Sequence, residues 1–322
     1  MDPASIVDYI RTVAHDKGFS RVRFLSPYNT ATIFGVQSTP DNHWEGAPSL
    51  LVVALPYGNS GIAGPQVQAL TIAPFARRNY YAEAVSRLKD LAKTLRGKFG
   101  GQRSEYRILC NSPVPEKPIA LLCGLGWPGK NSLIITPEAG SLVIIAAMTL
   151  PFQLPGDAPL PGVFPESAEV LSASLKRSMD DSSHINTHTI AFPACKVCGD
   201  NPACMNACPT GAIAGDGTVK TERCIQWYAS GHGDVVPHFV ADAWENQLYG
   251  CTYCQDVCPY NKKAIKGIET DRGKLPDYVT VEWILTASDE AIKNAIRGSA
   301  LGMQWLGPKA LRRNAQLVLR RR

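Results

Sequence analysis

Eight of the ten cysteines of this chain lie between Cys195 and Cys258, and no other feature restricts what it can fold into as strongly. The first run reads Cys195-x2-Cys198-x5-Cys204-x3-Cys208-Pro209, the second Cys251-x2-Cys254-x3-Cys258-Pro259, and Cys224 stands alone between them. A four-iron four-sulfur cubane needs four thiolates at tetrahedrally disposed corners. A tight loop wraps three of them, and a distant cysteine followed by proline gives the fourth to the other cluster. That logic assigns Cys195, Cys198, Cys204 and Cys258 to one 4Fe-4S cluster, and Cys208, Cys224, Cys251 and Cys254 to a second.

Zinc knuckles are the competing reading, because Cys-x2-Cys is also zinc spacing. The Cys-Pro ends weigh against zinc, as does Pro209-Thr210-Gly211-Ala212-Ile213, which resembles bacterial ferredoxins. The departure from that pattern is the five-residue spacer Gly199 to Ala203, where ferredoxins have two residues, and a small loop insertion accounts for it. A reducing compartment fits thiolates that bind metal instead of pairing. The start, MDPASIVDYI, has neither the basic region nor the apolar core of a secretory leader, and the apolar run Leu142 to Leu150 is too short to cross a bilayer. A soluble, cytoplasmic protein with no membrane partner is the expectation. Net charge is +5, yet Lys293 to Arg322 holds eight basic residues and no acidic one, which suits either a phosphate-rich partner or a solvated helix end.

At 322 residues the chain has room for two domains. Asp2 as cap and Pro3 at the first turn predict a helix whose apolar stripe is Ile6, Tyr9, Ile10 and Val13. Leu50 to Leu55 and Leu142 to Ala147 read as buried strands, and Tyr81 to Phe99 as an amphipathic helix. Residues 1–153 are therefore expected to form an α/β or α+β domain. Residues 154–192, rich in Pro, Gly, Ser and Asp, read as an insertion or linker with one helical candidate at Glu166 to Met179. Residues 193–262 are the cysteine module, and 263–322 a basic helical segment. His184 and His188 are four apart, but no acidic ligand adjoins them and a metal site there is not favoured. Gly124-x4-Gly129-Lys130 is one residue from a phosphate loop, with Asn131 where Ser or Thr would hold magnesium, so an ATPase is disfavoured.

The order of elements resembles the epoxyqueuosine reductase family and its relatives the reductive dehalogenases along nearly the whole chain. The resemblance is carried by Ala76-Arg77-Arg78-Asn79-Tyr80-Tyr81, Pro113-Val114-Pro115-Glu116-Lys117, Gly124-Leu125-Gly126-Trp127-Pro128-Gly129-Lys130-Asn131, Arg223-Cys224-Ile225, Tyr249-Gly250-Cys251, Cys254 to Asn261, Arg297-Gly298-Ser299-Ala300 and Arg313-Asn314-Ala315. It implies an α+β fold: a nitroreductase-like cobalamin-binding domain followed by a bacterial ferredoxin-like module with two 4Fe-4S clusters and a short helical C-terminus. The implied activity is oxidoreductase chemistry on epoxyqueuosine in tRNA, with electrons relayed through the clusters to cobalt. Arg77, Tyr80, Pro113, Glu116, Lys117, Gly124, Gly126, Trp127, Gly129, Lys130, Asn131 and Ser141 are the implied corrinoid contacts, with the glycine segment packing its backbone and Trp127 beside the ring. Expected partners are an external electron donor of flavodoxin or ferredoxin type and tRNA, for a monomeric protein. Where the family carries an Asp as proposed general acid, this chain has Cys110, which the alignment leaves as proton donor, cobalt ligand or packing residue. An electron-transfer or corrinoid-binding protein, or a reductase of another substrate, is the alternative.

Overall fold

The computed structural model describes residues 1–26, 47–58, 69–112, 114, 116–161, 195–233, 235–264, 274–303 and 306–320. In chain order the strands are β1 (Arg21–Leu25), β2 (Ser49–Pro56), β3 (Ala69–Ile72), β4 (Ile108–Leu109), β5 (Trp127–Pro128), β6 (Ile134–Ile135), β7 (Val143–Leu150), β8 (Gln247–Tyr249) and β9 (Tyr278–Thr280). The helices are α1 (Pro3–Asp16), α2 (Tyr80–Phe99), α3 (Glu116–Leu122), α4 (Ala203–Asn206), α5 (Ile225–Ala229), α6 (His238–Asp242), α7 (Tyr253–Asp256), α8 (Pro259–Ala264), α9 (Val281–Thr286), α10 (Asp289–Ile296) and α11 (Pro308–Leu319). Strands and helices alternate in blocks, which makes the fold α+β. Among the described residues no helix is long and apolar enough to cross a membrane.

Two compact units result. The first takes residues 1–56, 81–197 and 215–218. The predicted N-terminal cap is present: the Asp2 carboxylate accepts from the Ser5 N–H at 3.1 Å, satisfying a donor that has no partner in the first turn. The central sheet is antiparallel in the order β1-β2-β7-β4. Strand β2 reads as a continuous apolar run because both its faces are covered. Leu50, Val52 and Ala54 pack with Ile119, Leu121 and Leu125, while the alternate Leu51, Val53 and Leu55 are equally buried on the opposite face. Strand β4 pairs with β7 through Ile108–Met148 and Leu109–Ala147, and its end delivers Cys110.

The second unit takes residues 57–80, 198–214 and 219–322. Its sheet, β8-β3-β9, is parallel between β3 and β8 and antiparallel between β3 and β9. From the pattern of residues, 57–80 are expected in the first domain and 263–322 in a segment of their own. Here they share one core, in which Leu70, Ile72, Trp244, Leu248, Ile284, Leu311 and Ala315 are all buried. The cause is long-range pairing: the Thr71 N–H reaches the Asn246 carbonyl at 2.7 Å, a partner that no local pattern announces. The start of the expected linker is likewise committed to the first unit. The Leu154 N–H donates to Ser49 Oγ at 2.8 Å, and the Asp157 carboxylate accepts from the Phe24 N–H at 2.8 Å and Arg11 at 2.6 Å. The helical candidate at 166–179 and the pair His184 and His188 lie outside the described residues.

Candidate functional site

The thiols are held by short helices and turns of the second unit, apart from Cys195, whose N–H donates to the Pro128 carbonyl at 3.0 Å in the first. Among the described residues no two cysteines are joined as a disulfide. Cys204 sits in α4 and Cys254 in α7, two helices packed on each other. Cys224 caps α5, and Cys251 follows the end of β8. The Gln226 side-chain oxygen accepts from the Cys251 N–H at 3.0 Å, fixing those two supports together.

Electrostatic coupling among the thiols falls into two groups. Burial pushes Cys204 up, and Cys258 and Cys198 add to the shift. Burial likewise raises Cys224, with Cys208 contributing, and raises Cys251 further, with Cys254, Cys224 and Cys208 contributing. Cys208 differs. Burial pushes it up, but hydrogen bonds from the Thr210 hydroxyl and the surrounding backbone N–H groups outweigh that, and its thiol is lowered. The Ala212 N–H reaches Cys208 Sγ at 3.3 Å because Gly211, with φ of 62°, turns the chain through the left-handed region that glycine enters freely. Arg223 braces the same turn, its Nε donating to the Thr210 carbonyl at 2.7 Å. Half-buried thiols in two coupled groups, one supplied with N–H donors to sulfur, fit cubane clusters.

In the first unit, a second group of side chains gathers on the loop between β4 and α3. Cys110 Sγ lies 3.9 Å from the carbonyls of Tyr81 and Ile145. Burial, reinforced by Glu116, pushes its thiol up to about 12, so it stays a neutral thiol at pH 7. The Glu116 carboxyl accepts from the Asn111 N–H at 2.5 Å. Burial raises that carboxyl to about 7, against the pull of the Asn111 N–H and the Lys117 ammonium. Lys117 donates to Ser132 Oγ at 2.9 Å, and burial lowers it to about 8 while Glu116 opposes the shift. Asn111 (φ 50°) and Ser132 (φ 65°) are the two non-glycine residues with positive φ among the described residues. Sequence reasoning missed both; the Cys110-Asn111-Ser112 turn was the available signal, since Asn tolerates that region.

The remaining corrinoid candidates are scattered over different tasks. Residues 124–131 follow a helix and open into the β5-β6 hairpin, whereas a phosphate loop follows a strand and opens a helix. The Gly124 carbonyl accepts from Arg21 Nη2 at 3.0 Å and Arg23 Nε at 3.1 Å. A Cβ on Gly126 would stand 2.4 Å from the Ile135 carbonyl oxygen, and one on Gly129 would stand 2.4 Å from Asn131 Oδ1. Gly126 and Gly129 answer to contacts within their own hairpin. Trp127 is half-buried against the core, Lys130 is partly exposed, and Asn131 and Ser141 are buried. Arg77 and Tyr80 belong to the second unit, where Arg77 is 1% exposed, pairs with Asp277 at 2.6 Å and donates to the Ile72 carbonyl at 2.9 Å. Pro113 lies outside the described residues.

Fold and thiol set together define an iron-sulfur protein built around a double-cluster module. Residues 194–261 match the family model described as a 4Fe-4S double cluster binding domain. The chain is 30% identical to the epoxyqueuosine reductase of Vibrio cholerae over 251 residues, which is 75% of this chain and 56% of that protein. Its fold is shared with the structure of epoxyqueuosine reductase from Streptococcus thermophilus (TM-score 0.72, 21% identity, 98% of this chain and 81% of that one). It is shared equally with an epoxyqueuosine reductase crystallised with an epoxyqueuosine-modified tRNA-Tyr stem loop (TM-score 0.74, 21% identity, 99% and 82%). The chain belongs to the epoxyqueuosine reductase family, and it spans about half the length of the curated relatives it matches.

Proposed function

We propose that this protein is a cytoplasmic, monomeric iron-sulfur and corrinoid reductase that converts epoxyqueuosine to queuosine in tRNA. The single observation that carries the reading is the coincidence, on this family's fold, of eight cysteines in a two-cluster pattern with a half-buried Glu116–Lys117 pair. Reduction of an epoxide to an alkene takes up two electrons and two protons and releases water. Cys195, Cys198, Cys204 and Cys258 hold one cluster in this reading, and Cys208, Cys224, Cys251 and Cys254 the other; the two-group coupling supports it for the seven thiols other than Cys195, which the spacing alone assigns. Electrons enter from a flavodoxin- or ferredoxin-type donor. A bound corrinoid, held at Trp127 and Lys130, would supply the two-electron chemistry at the substrate. The chain's own residues hold the Glu116 carboxyl through the Asn111 N–H, and its surroundings favour the protonated form.

One observation favours a second reading, an electron-transfer protein without epoxyqueuosine turnover: the neutral Cys110 stands where the family's acid is expected. Expression in a strain lacking its own epoxyqueuosine reductase, followed by mass spectrometry of tRNA nucleosides, separates the two. Queuosine is expected to appear, and persistent epoxyqueuosine would transfer the assignment to the second reading.

A further inference from the structure

The side chain at 110 is a poor proton donor, yet the loop that carries it is built around another acid. The Asn111 N–H, one residue along, holds Glu116 Oε1 at 2.5 Å, and Ser132 Oγ holds Lys117 Nζ at 2.9 Å. Both anchors are non-glycine residues in the left-handed region, which Asn enters readily and Ser rarely. A carboxyl and an ammonium, adjacent in sequence and each held by its own hydrogen bond beside Cys110, form a cluster of titratable groups that a packing role does not require.

We propose that Glu116 is the residue that delivers the proton to the substrate oxygen in this protein, with Lys117 as its positioning partner, in place of an acid at position 110. The inference deepens the reductase reading and rests on it. The carboxyl O–H bond breaks and an O–H bond forms on the epoxide oxygen, while the electron pair of the ring C–O bond moves onto that oxygen. The two electrons of the reduction come from the low-potential donor protein through the clusters. The two electrons enter at the carbon so released and become the second bond of the alkene as the remaining C–O bond breaks; the oxygen leaves as water with a second proton from solvent, which also restores the Glu116 proton. Among the described residues, the titratable and charged groups that meet Glu116 are Lys117 on its own helix and Cys110 on the preceding loop. A carboxyl near neutrality is matched to proton transfer at physiological pH, as a thiol near 12 is not.

The test uses full-length, cluster-loaded protein and two readouts. By infrared difference titration, the wild type is expected to show a protonated-carboxyl C=O band that vanishes around pH 7; Glu116→Gln abolishes it, and Lys117→Met moves its loss to higher pH. With epoxyqueuosine tRNA, Glu116→Gln is expected to lower kcat about 100-fold with KM nearly unchanged, and Glu116→Asp to restore part of the rate with a displaced pH profile. Iron content equal to wild type certifies that each variant is folded. A wild type that turns over, paired with a Glu116→Gln variant keeping more than a tenth of kcat or with no carboxyl band sensitive to the substitution, overturns the proposal alone. A wild type that leaves epoxyqueuosine untouched overturns the reductase reading and the proposal with it.

Discussion

Asn314 is 0% exposed and makes the most consequential polar contacts of the C-terminal helix. Its side-chain NH2 donates to the Ala229 carbonyl at 3.1 Å and to the Leu248 carbonyl at 2.9 Å, and its oxygen accepts from Arg313 Nη2 at 3.1 Å. Ala229 ends α5, the helix that Cys224 caps, and Leu248 is the middle of β8, which leads to Cys251. One amide therefore clamps the supports of two thiols assigned to the same cluster. Asn314→Ala strips the donor from two buried carbonyls, at about 1–3 kcal/mol for each acceptor left unsatisfied. Relaxation of α11 recovers part of that, which leaves about 3 kcal/mol as the expected loss. With a urea m-value of about 1–3 kcal/mol/M, the midpoint drops by roughly 1–3 M. The assay is anaerobic urea unfolding followed by cluster absorbance, with iron counted after brief exposure to a chelator. The variant is expected to fall from about eight irons toward about four, as the cluster on Cys208, Cys224, Cys251 and Cys254 is lost first. A loss below about 1 kcal/mol, or equal release of both clusters, would refute the clamp.

Cys224→Ser and Cys204→Ser are each expected to remove one cluster and spare the other, read by iron analysis and electron paramagnetic resonance; two identical residual spectra would reject the two-group assignment. Gly126→Ala puts a Cβ 2.4 Å from the Ile135 carbonyl oxygen and is expected to cost about 1–3 kcal/mol in thermal or denaturant unfolding. The Glu116 carboxyl is raised from 4.5 to about 7, so the folded chain holds the extra proton in that window; stability is full below about 4.5 and falls as pH rises toward 7. At 1.36 kcal/mol per unit this is at most about 3 kcal/mol, and Glu116→Gln, tested by unfolding at pH 5 and pH 7.5, is expected to flatten the slope.

Local pattern told much about the elements and little about their partners. The cap at Asp2, the runs that became β2 and β7, and the helix Tyr80–Phe99 were all legible because each depends on neighbours within a few residues. The partition of 57–80 was not, because it follows from β3 choosing β8 and β9 across most of the chain. The same holds at the site. Cysteine spacing is a local code, whereas the Glu116–Lys117 pair is perturbed by burial, which spacing does not encode. The glycine segment poses a related problem: a glycine demanded by the chain's own backbone looks identical, in one dimension, to a glycine demanded by a ligand.

Gly250 shows how far that distinction reaches. Its φ is 98°, and a Cβ there would stand 2.1 Å from the Ala73 Cβ, so the residue before Cys251 is glycine on two independent counts. The Ala73 N–H donates to the Tyr249 carbonyl at 3.0 Å, which holds the two backbones at that distance. Any side chain at 250 forces β8 away from residues 73–75 or breaks the left-handed turn, and either movement displaces Cys251 relative to the Gln226 contact that fixes its N–H. Arg77 works on the same joint from the other side, since its backbone carbonyl accepts from the Lys274 and Leu275 N–H groups at 2.9 and 3.0 Å while its guanidinium holds Asp277. Segments that carried the family resemblance at 76–81, 249–251 and 313–315 thus converge on one physical task, keeping thiol-bearing loops in place on a core built from distant parts of the chain.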